Sequence, residues 1–88
     1  MVYTIKITAE VIDPEDADYI ATNDAVIEVS KQFGCQRSME HDGNLEIGIF
    51  TFATLEDVMA FRNHPTHQAA MRKVGKFYKS MKVKRSWC

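Results

Sequence analysis

His64-Pro65-Thr66-His67 sets two imidazoles three residues apart across a proline. Imidazole titrates near neutral pH, so a histidine at the edge of a pocket can take or give a proton under ordinary conditions. His67 is the first candidate, because on a helix it shares a face with Met71 and Val74. Its bland alternative is a first-turn residue that caps or packs. His64 stands just before the proline ring, which pushes it out of the helical region, so it reads as a wall of a site or as a surface or capping residue. Tyr78 offers a phenol to a substrate oxygen, or else packs with its hydroxyl wet. Asn23 offers an amide that either lines a cavity or bonds locally. Phe33, Phe61 and Met71 serve as apolar walls of a site or as plain core. No nucleophile stands beside a base, no phosphate loop appears and no metal constellation is present. Cys35 and Cys88 fit neither disulfide nor metal spacing and read as free thiols. No metal and no cofactor is called for.

These residues need elements to position them, and the histidine step lies inside one such stretch, Thr54 to Gly75. Thr54 caps its start, with Asp57 three residues on in capping-box spacing. Pro65 has no N–H to give, so the stretch predicts two helical pieces, the second starting at Pro65, and Gly75 reads as the stop. Before it, Val2 to Ile12 alternates, with Tyr3, Ile5, Ile7, Ala9 and Val11 on one face: a half-buried strand. Asp13-Pro14-Glu15-Asp16 reads as a cap with proline at the first helical position, opening a helix to about Phe33 that Gly34 ends. Tyr19, Ile20, Val26, Ile27 and Phe33 share its broad apolar face. Asn23 and Ser30 fall near the middle of that face, where a buried polar group needs a partner. For Ser30 a carbonyl one turn back would serve.

Cys35 to His41 reads as a strand, and His41-Asp42-Gly43-Asn44 as a turn, with His41 solvated and without a role. Leu45 to Phe52 completes a hairpin. Ile47 and Ile49 point one way and Phe50 and Phe52 the other, so both faces of this strand are apolar. Lys76 to Trp87 reads as a last strand, with Phe77, Met81, Val83 and Trp87 on one face and Tyr78 on the other. The order is βαββαβ, an α+β ferredoxin-like plan with helices on one face of a four-stranded antiparallel sheet, in one domain over residues 1–88. Large apolar side chains left on the outer face predict a homodimer packed sheet on sheet.

Bulk properties are those of a soluble globular protein, with 45% hydrophobic and 26% charged residues. No apolar run approaches the roughly 20 residues of a membrane span, which points to a cytoplasmic protein without membrane contact. All twelve acids lie at or before Asp57 and eight of eleven bases at or after Arg62, so the first part carries −9 and the remainder +8. A basic tail raises nucleic acid as a partner; pairing of charges within a compact domain or dimer explains it more simply.

The third-strand phrase Phe50-Thr51-Phe52, the capped helix Thr54 to Arg62, the step His64-Pro65-Thr66-His67 and the ending Phe77-Tyr78-Lys79 together resemble the antibiotic biosynthesis monooxygenase family. The similarity covers nearly the whole chain and is sharpest from Phe52 to Val83. It implies a dimeric α/β barrel with a pocket between helices and sheet in each subunit. It also implies cofactor-independent oxygenation of a small aromatic or quinol-like substrate, a phenol that is deprotonated and itself gives the electron to oxygen. The chain departs from the pattern at two places. Phe61 stands where the family's helix commonly carries Trp, and Met71 where the haem-degrading branch carries its iron-binding His, which demotes haem degradation.

Two other classes compete. The RNA-recognition motif shares the element order, but Ile47 and Ile49 stand where its stacking aromatics belong, so there is no platform for a base. A non-catalytic small-molecule-binding dimer on the same barrel would present the same pocket and differ only in acid/base poise.

Overall fold

The structure is a computed structural model that describes residues 2–87, with Trp87 described in its backbone alone. Cys88 and the side chain of Trp87 therefore lie outside the described residues. Eight elements follow one another: β1 (Tyr3–Val11), α1 (Ala17–Gln32), β2 (Gln36–Asp42), β3 (Leu45–Phe52), α2 (Leu55–Asn63), α3 (Pro65–Arg72), α4 (Val74–Phe77) and β4 (Tyr78–Trp87). The four strands form one antiparallel sheet in the order β2-β3-β1-β4. This is the ferredoxin-like arrangement expected from the element order.

Alternation along β3 decides which face is covered. Glu46, Gly48, Phe50 and Phe52 are buried, whereas Leu45 and Ile49 on the opposite phase are exposed and Ile47 is half-buried. The helices thus cover one face, and the core lies beneath them in two clusters. One gathers Val29, Cys35, Phe50, Phe52, Val58 and Phe61. The other gathers Val11, Tyr19 and Phe77, with Tyr78 packed on it.

The turns follow local chemistry. Gly34, at φ 68°, closes α1. There the Cys35 N–H reaches the Ser30 carbonyl and the Gly34 N–H the Lys31 carbonyl, the paired bonds of a Schellman ending. Gly43, at φ 60°, opens the two-residue loop between β2 and β3, a position where a Cβ is disfavoured. Thr54 accepts from the Asp57 N–H at 3.1 Å and caps α2, as its sequence predicts. Pro65 opens α3 after a break at His64, also as predicted. Ser30, fully buried, donates to the Ile27 carbonyl at 2.6 Å, the local solution.

Four expectations are corrected. The helix α1 begins at Ala17, not Pro14, because Asp16 is its cap and accepts from the N–H groups of Asp18 and Tyr19. Asp13 instead closes a turn of its own by accepting from the Glu15 N–H. Ile20 is 45% exposed, so the inner face of α1 is carried by Tyr19, Val29 and Ser30. Gly75 does not stop the helices: the turn α4 runs through it, tied back by the N–H groups of Lys76 and Phe77 to the Lys73 carbonyl, and β4 starts at Tyr78. The last correction concerns Tyr78 itself. Ser80 pairs with Glu10 and Tyr78 with Val11, so Lys79 is an extra residue in the ladder. This bulge returns Tyr78 to the face that carries Met81 and Val83.

Candidate functional site

Between the helices and the covered face of the sheet lies a cavity of about 150 Å³. Its floor is Ile5 and Ile7 of β1, Gly48 and Phe50 of β3, and Met81 and Val83 of β4. Its roof is built from Val26 of α1, Phe61 of α2 and Ala70 and Met71 of α3. A cavity of this size with largely apolar walls admits roughly one aromatic ring. Met71 is 50% exposed while lining it, which places this side chain at the mouth. Gly48 makes room on the floor, because a Cβ there would stand 2.8 Å from the Met39 sulfur.

Few polar groups reach this space. His67, on α3, is half-buried and packs edge-on against Phe61, with ring centres 4.7 Å apart. Burial holds its pKa below the usual imidazole value, opposed by a hydrogen bond with the Arg62 backbone. His67 is therefore neutral near pH 7 and able to accept a proton. Asn23 reaches the cavity from α1, and its amide has no hydrogen-bond partner among the described residues. Arg85 adds a cation on β4.

The remaining polar groups form a cluster. Glu46 is 3% exposed and accepts from the Tyr19 hydroxyl at Oε1 and from the Tyr78 hydroxyl at Oε2, the latter at 3.1 Å. His41 Nε2 lies 3.4 Å from Oε1 of the same carboxylate and 3.3 Å from the Tyr19 hydroxyl. Burial, reinforced by the carboxylate, pushes both tyrosine pKa values well above the ordinary phenol. They stay protonated and donate. Buried carboxylates persist only when paired or hydrogen-bonded; here two phenols donate, and an imidazole stands beside them.

Of the residues singled out in the sequence, His67, Asn23, Tyr78, Phe61 and Met71 come together around the cavity. Phe33 and His64 do not line it. They pack against each other with ring centres 6.3 Å apart. His64 caps α3, its Nδ1 accepting from the Thr66 N–H at 3.1 Å, which is the capping alternative for this residue. Glu46, Tyr19 and Arg85 were missed, and His41 is not the role-less turn residue expected: it belongs to β2 and touches Glu46. A usable signal existed for Glu46, which shares the inward phase of Gly48, Phe50 and Phe52. Among the described residues no three potential metal ligands gather. Cys35 is a free, buried thiol, and burial raises its pKa.

The roof is fastened from outside. Asp18 on α1 accepts from Lys73 Nζ at 3.1 Å and from Lys76 Nζ at 2.9 Å, and both lysines lie after α3. These two contacts hold its carboxyl below the usual range. No residue of α3 itself is fully buried.

No family profile matches the chain, and no curated protein is similar to it in sequence. Solved structures are similar over essentially its whole length. Rv0793 from Mycobacterium tuberculosis superposes with a TM-score of 0.84 at 12% identity, covering 100% of this chain and 95% of that one. The cofactor-independent oxygenase SnoaB from Streptomyces nogalater, as its N63A mutant, gives 0.82 at 8% identity over 99% and 92%. A putative antibiotic biosynthesis monooxygenase from Chloroflexus aurantiacus J-10-fl gives 0.72 at 14% over 100% and 93%. At these identities the likeness is one of fold.

Proposed function

We propose that this protein is a cofactor-independent monooxygenase acting on a small aromatic or quinol-like substrate. The observation that carries this reading is the cavity: largely apolar walls sized for about one ring, with His67, Asn23, Tyr78 and Glu46 among its polar groups. The fold it shares with SnoaB agrees with this reading.

In this reading the substrate loses a proton, and its anion gives one electron to dioxygen. The resulting pair recombines at carbon to a peroxide anion, which takes up a proton and then loses water. One oxygen atom enters the substrate and the other leaves as water, and both reducing equivalents come from the substrate, so no cofactor is needed. The protein's work is to exclude water, orient the ring and receive the proton. Phe61 and Met71 hold the ring, Asn23 gives its unpartnered amide to a substrate oxygen, and neutral His67 is available to accept a hydrogen bond from the substrate. Polycyclic substrates would have to extend through the mouth at Met71.

The outer sheet face supports a homodimer. Leu45 and Ile49 are 39% and 36% exposed, and with Ile47 they form an apolar stripe on β3 that a second copy would cover. Ile49→Lys is expected to halve the light-scattering mass; a native mass equal to one chain ends this part of the proposal. No helix among the described residues is long and apolar enough to cross a membrane.

Oxygen uptake with a panel of quinols and anthrone-like compounds, without added cofactor, tests the function. One dioxygen should be consumed per substrate, and His67→Ala should lower the rate. Tight ligand binding without turnover across the panel makes the protein a ligand-binding barrel instead.

A further inference from the structure

Glu46 reaches from β3 into the covered face, where it lines the cavity with Tyr19 and Tyr78. On its other side stands His41, whose side chain is 43% exposed and borders a separate surface depression with Tyr19, Asn23 and Asp24. One carboxylate thus touches both the cavity beneath the helices and a group open to solvent. Among the described residues Oε2 accepts from Tyr78 alone, which leaves it capacity for a hydroxyl presented from the cavity. A purely structural bridge between two phenols would not require an ionisable group, whose burial costs several kcal/mol before pairing.

We infer that Glu46 receives the proton of the substrate hydroxyl, with Tyr19 and Tyr78 positioning it, and that His41 delivers the proton to solvent. This rests on the proposed phenolic substrate. The substrate O–H bond breaks, its electron pair stays on the substrate oxygen, and the proton joins the carboxylate. The carboxyl group then turns to bring the protonated oxygen to His41 Nε2, which faces Oε1 and the Tyr19 hydroxyl; His41 takes the proton there and loses one to water from its other nitrogen, restoring the carboxylate. The groups facing Glu46 are Tyr19 from α1, His41 from β2 and Tyr78 from β4. The strand β1 places Ala9 opposite it in the ladder, Arg85 is the cation on the cavity wall, and Asp24 of α1 borders the depression beside His41. The tyrosines remain phenols, since burial raises their pKa values, and so they orient the carboxylate instead of competing for the proton.

Two measurements test this. The first uses 4-nitrophenol, whose ionised form is yellow, titrated against the native protein, Glu46→Gln and Tyr78→Phe across a pH series. Native protein should take up the hydroxyl form and turn it yellow at a pH where the free probe is colourless, because its proton passes to Glu46. Glu46→Gln should bind the probe without that colour. Tyr78→Phe, which keeps the ring but removes one donor to the carboxylate, should move the lower pH limit of the colour upward. An unchanged pH dependence in a folded Glu46→Gln, or in Tyr78→Phe should the first not fold, overturns the inference.

The second measurement is oxygen uptake with a quinol. Glu46→Gln should lose about 10²- to 10⁴-fold in kcat, the range for a lost general base. His41→Asn should lower kcat with KM unchanged, and added imidazole should restore it, which a structural role would not allow. Full activity in either variant overturns the inference. No uptake by the native protein removes the oxygenase reading, and the nitrophenol titration still decides the role of Glu46.

Discussion

Tyr78 donates to Glu46 across 3.1 Å because Lys79 bulges out of the ladder between β1 and β4. Without that extra residue the phenol would point to the outer face and the carboxylate would keep Tyr19 as its one phenol donor. Tyr78→Phe should therefore destabilise the fold by about 1.5 to 3 kcal/mol, the range for a hydrogen bond to a charged acceptor. Urea unfolding checks this, and a change below about 0.5 kcal/mol would mean that the bond contributes nothing net.

His67 sets a pH dependence of known sign. Burial holds its folded pKa below the ordinary imidazole value, so the unfolded chain binds this proton first as the solution is acidified. Stability therefore rises with pH through the window between the folded pKa and the unfolded one, and is lost as pH falls through it. His67→Gln should flatten the unfolding free energy between about pH 7 and pH 5 relative to the native protein. An equal slope in both proteins would show that another group governs this window.

Phe61 ties the roof to the floor. It is 5% exposed, with ring centres 5.4 Å from Phe52 and 4.7 Å from His67. Phe61→Ala should cost about 3 to 5 kcal/mol. The imidazole, losing its cover, should titrate closer to its ordinary value, which NMR of the ring protons reads directly.

Gly48 reserves cavity volume for a ligand. A Cβ there would meet the Met39 sulfur at 2.8 Å and Phe50 at 3.2 Å. The methionine is flexible near its end and should swing aside into the cavity. Gly48→Ala is expected to weaken binding of a one-ring phenol several-fold while costing about 1 to 2 kcal/mol of stability, as overpacking does. Ligand titration beside a urea melt separates the two effects, and unchanged binding would place the ligand elsewhere.

The fold was largely legible because its signals are local and repeated. The alternation of Tyr3 to Val11, the Gly43 turn, the Thr54 cap and the break at Pro65 each follow from backbone chemistry within a few residues. The site was half legible. His67, Asn23, Phe61 and Met71 reach the cavity because helix periodicity carries them there. Tyr78 reaches it for a reason that periodicity cannot express, since a single inserted residue reverses the phase of everything before it. Glu46 was overlooked when Ile47, Ile49, Phe50 and Phe52 alone were used to assign faces. Its partners Tyr19 and His41 are 27 and five residues away in the chain, and the meeting exists only once β3 is paired and α1 is laid over it.

The placement of Asp18 bears on how anything enters. The cover over the cavity, α3, buries no residue fully, while the charges that fasten its far end stand in water. Such contacts are screened by dissolved ions, whereas the apolar floor is not. Ionic strength should thus act on the latch alone, setting how often the door opens and leaving the room behind it unchanged.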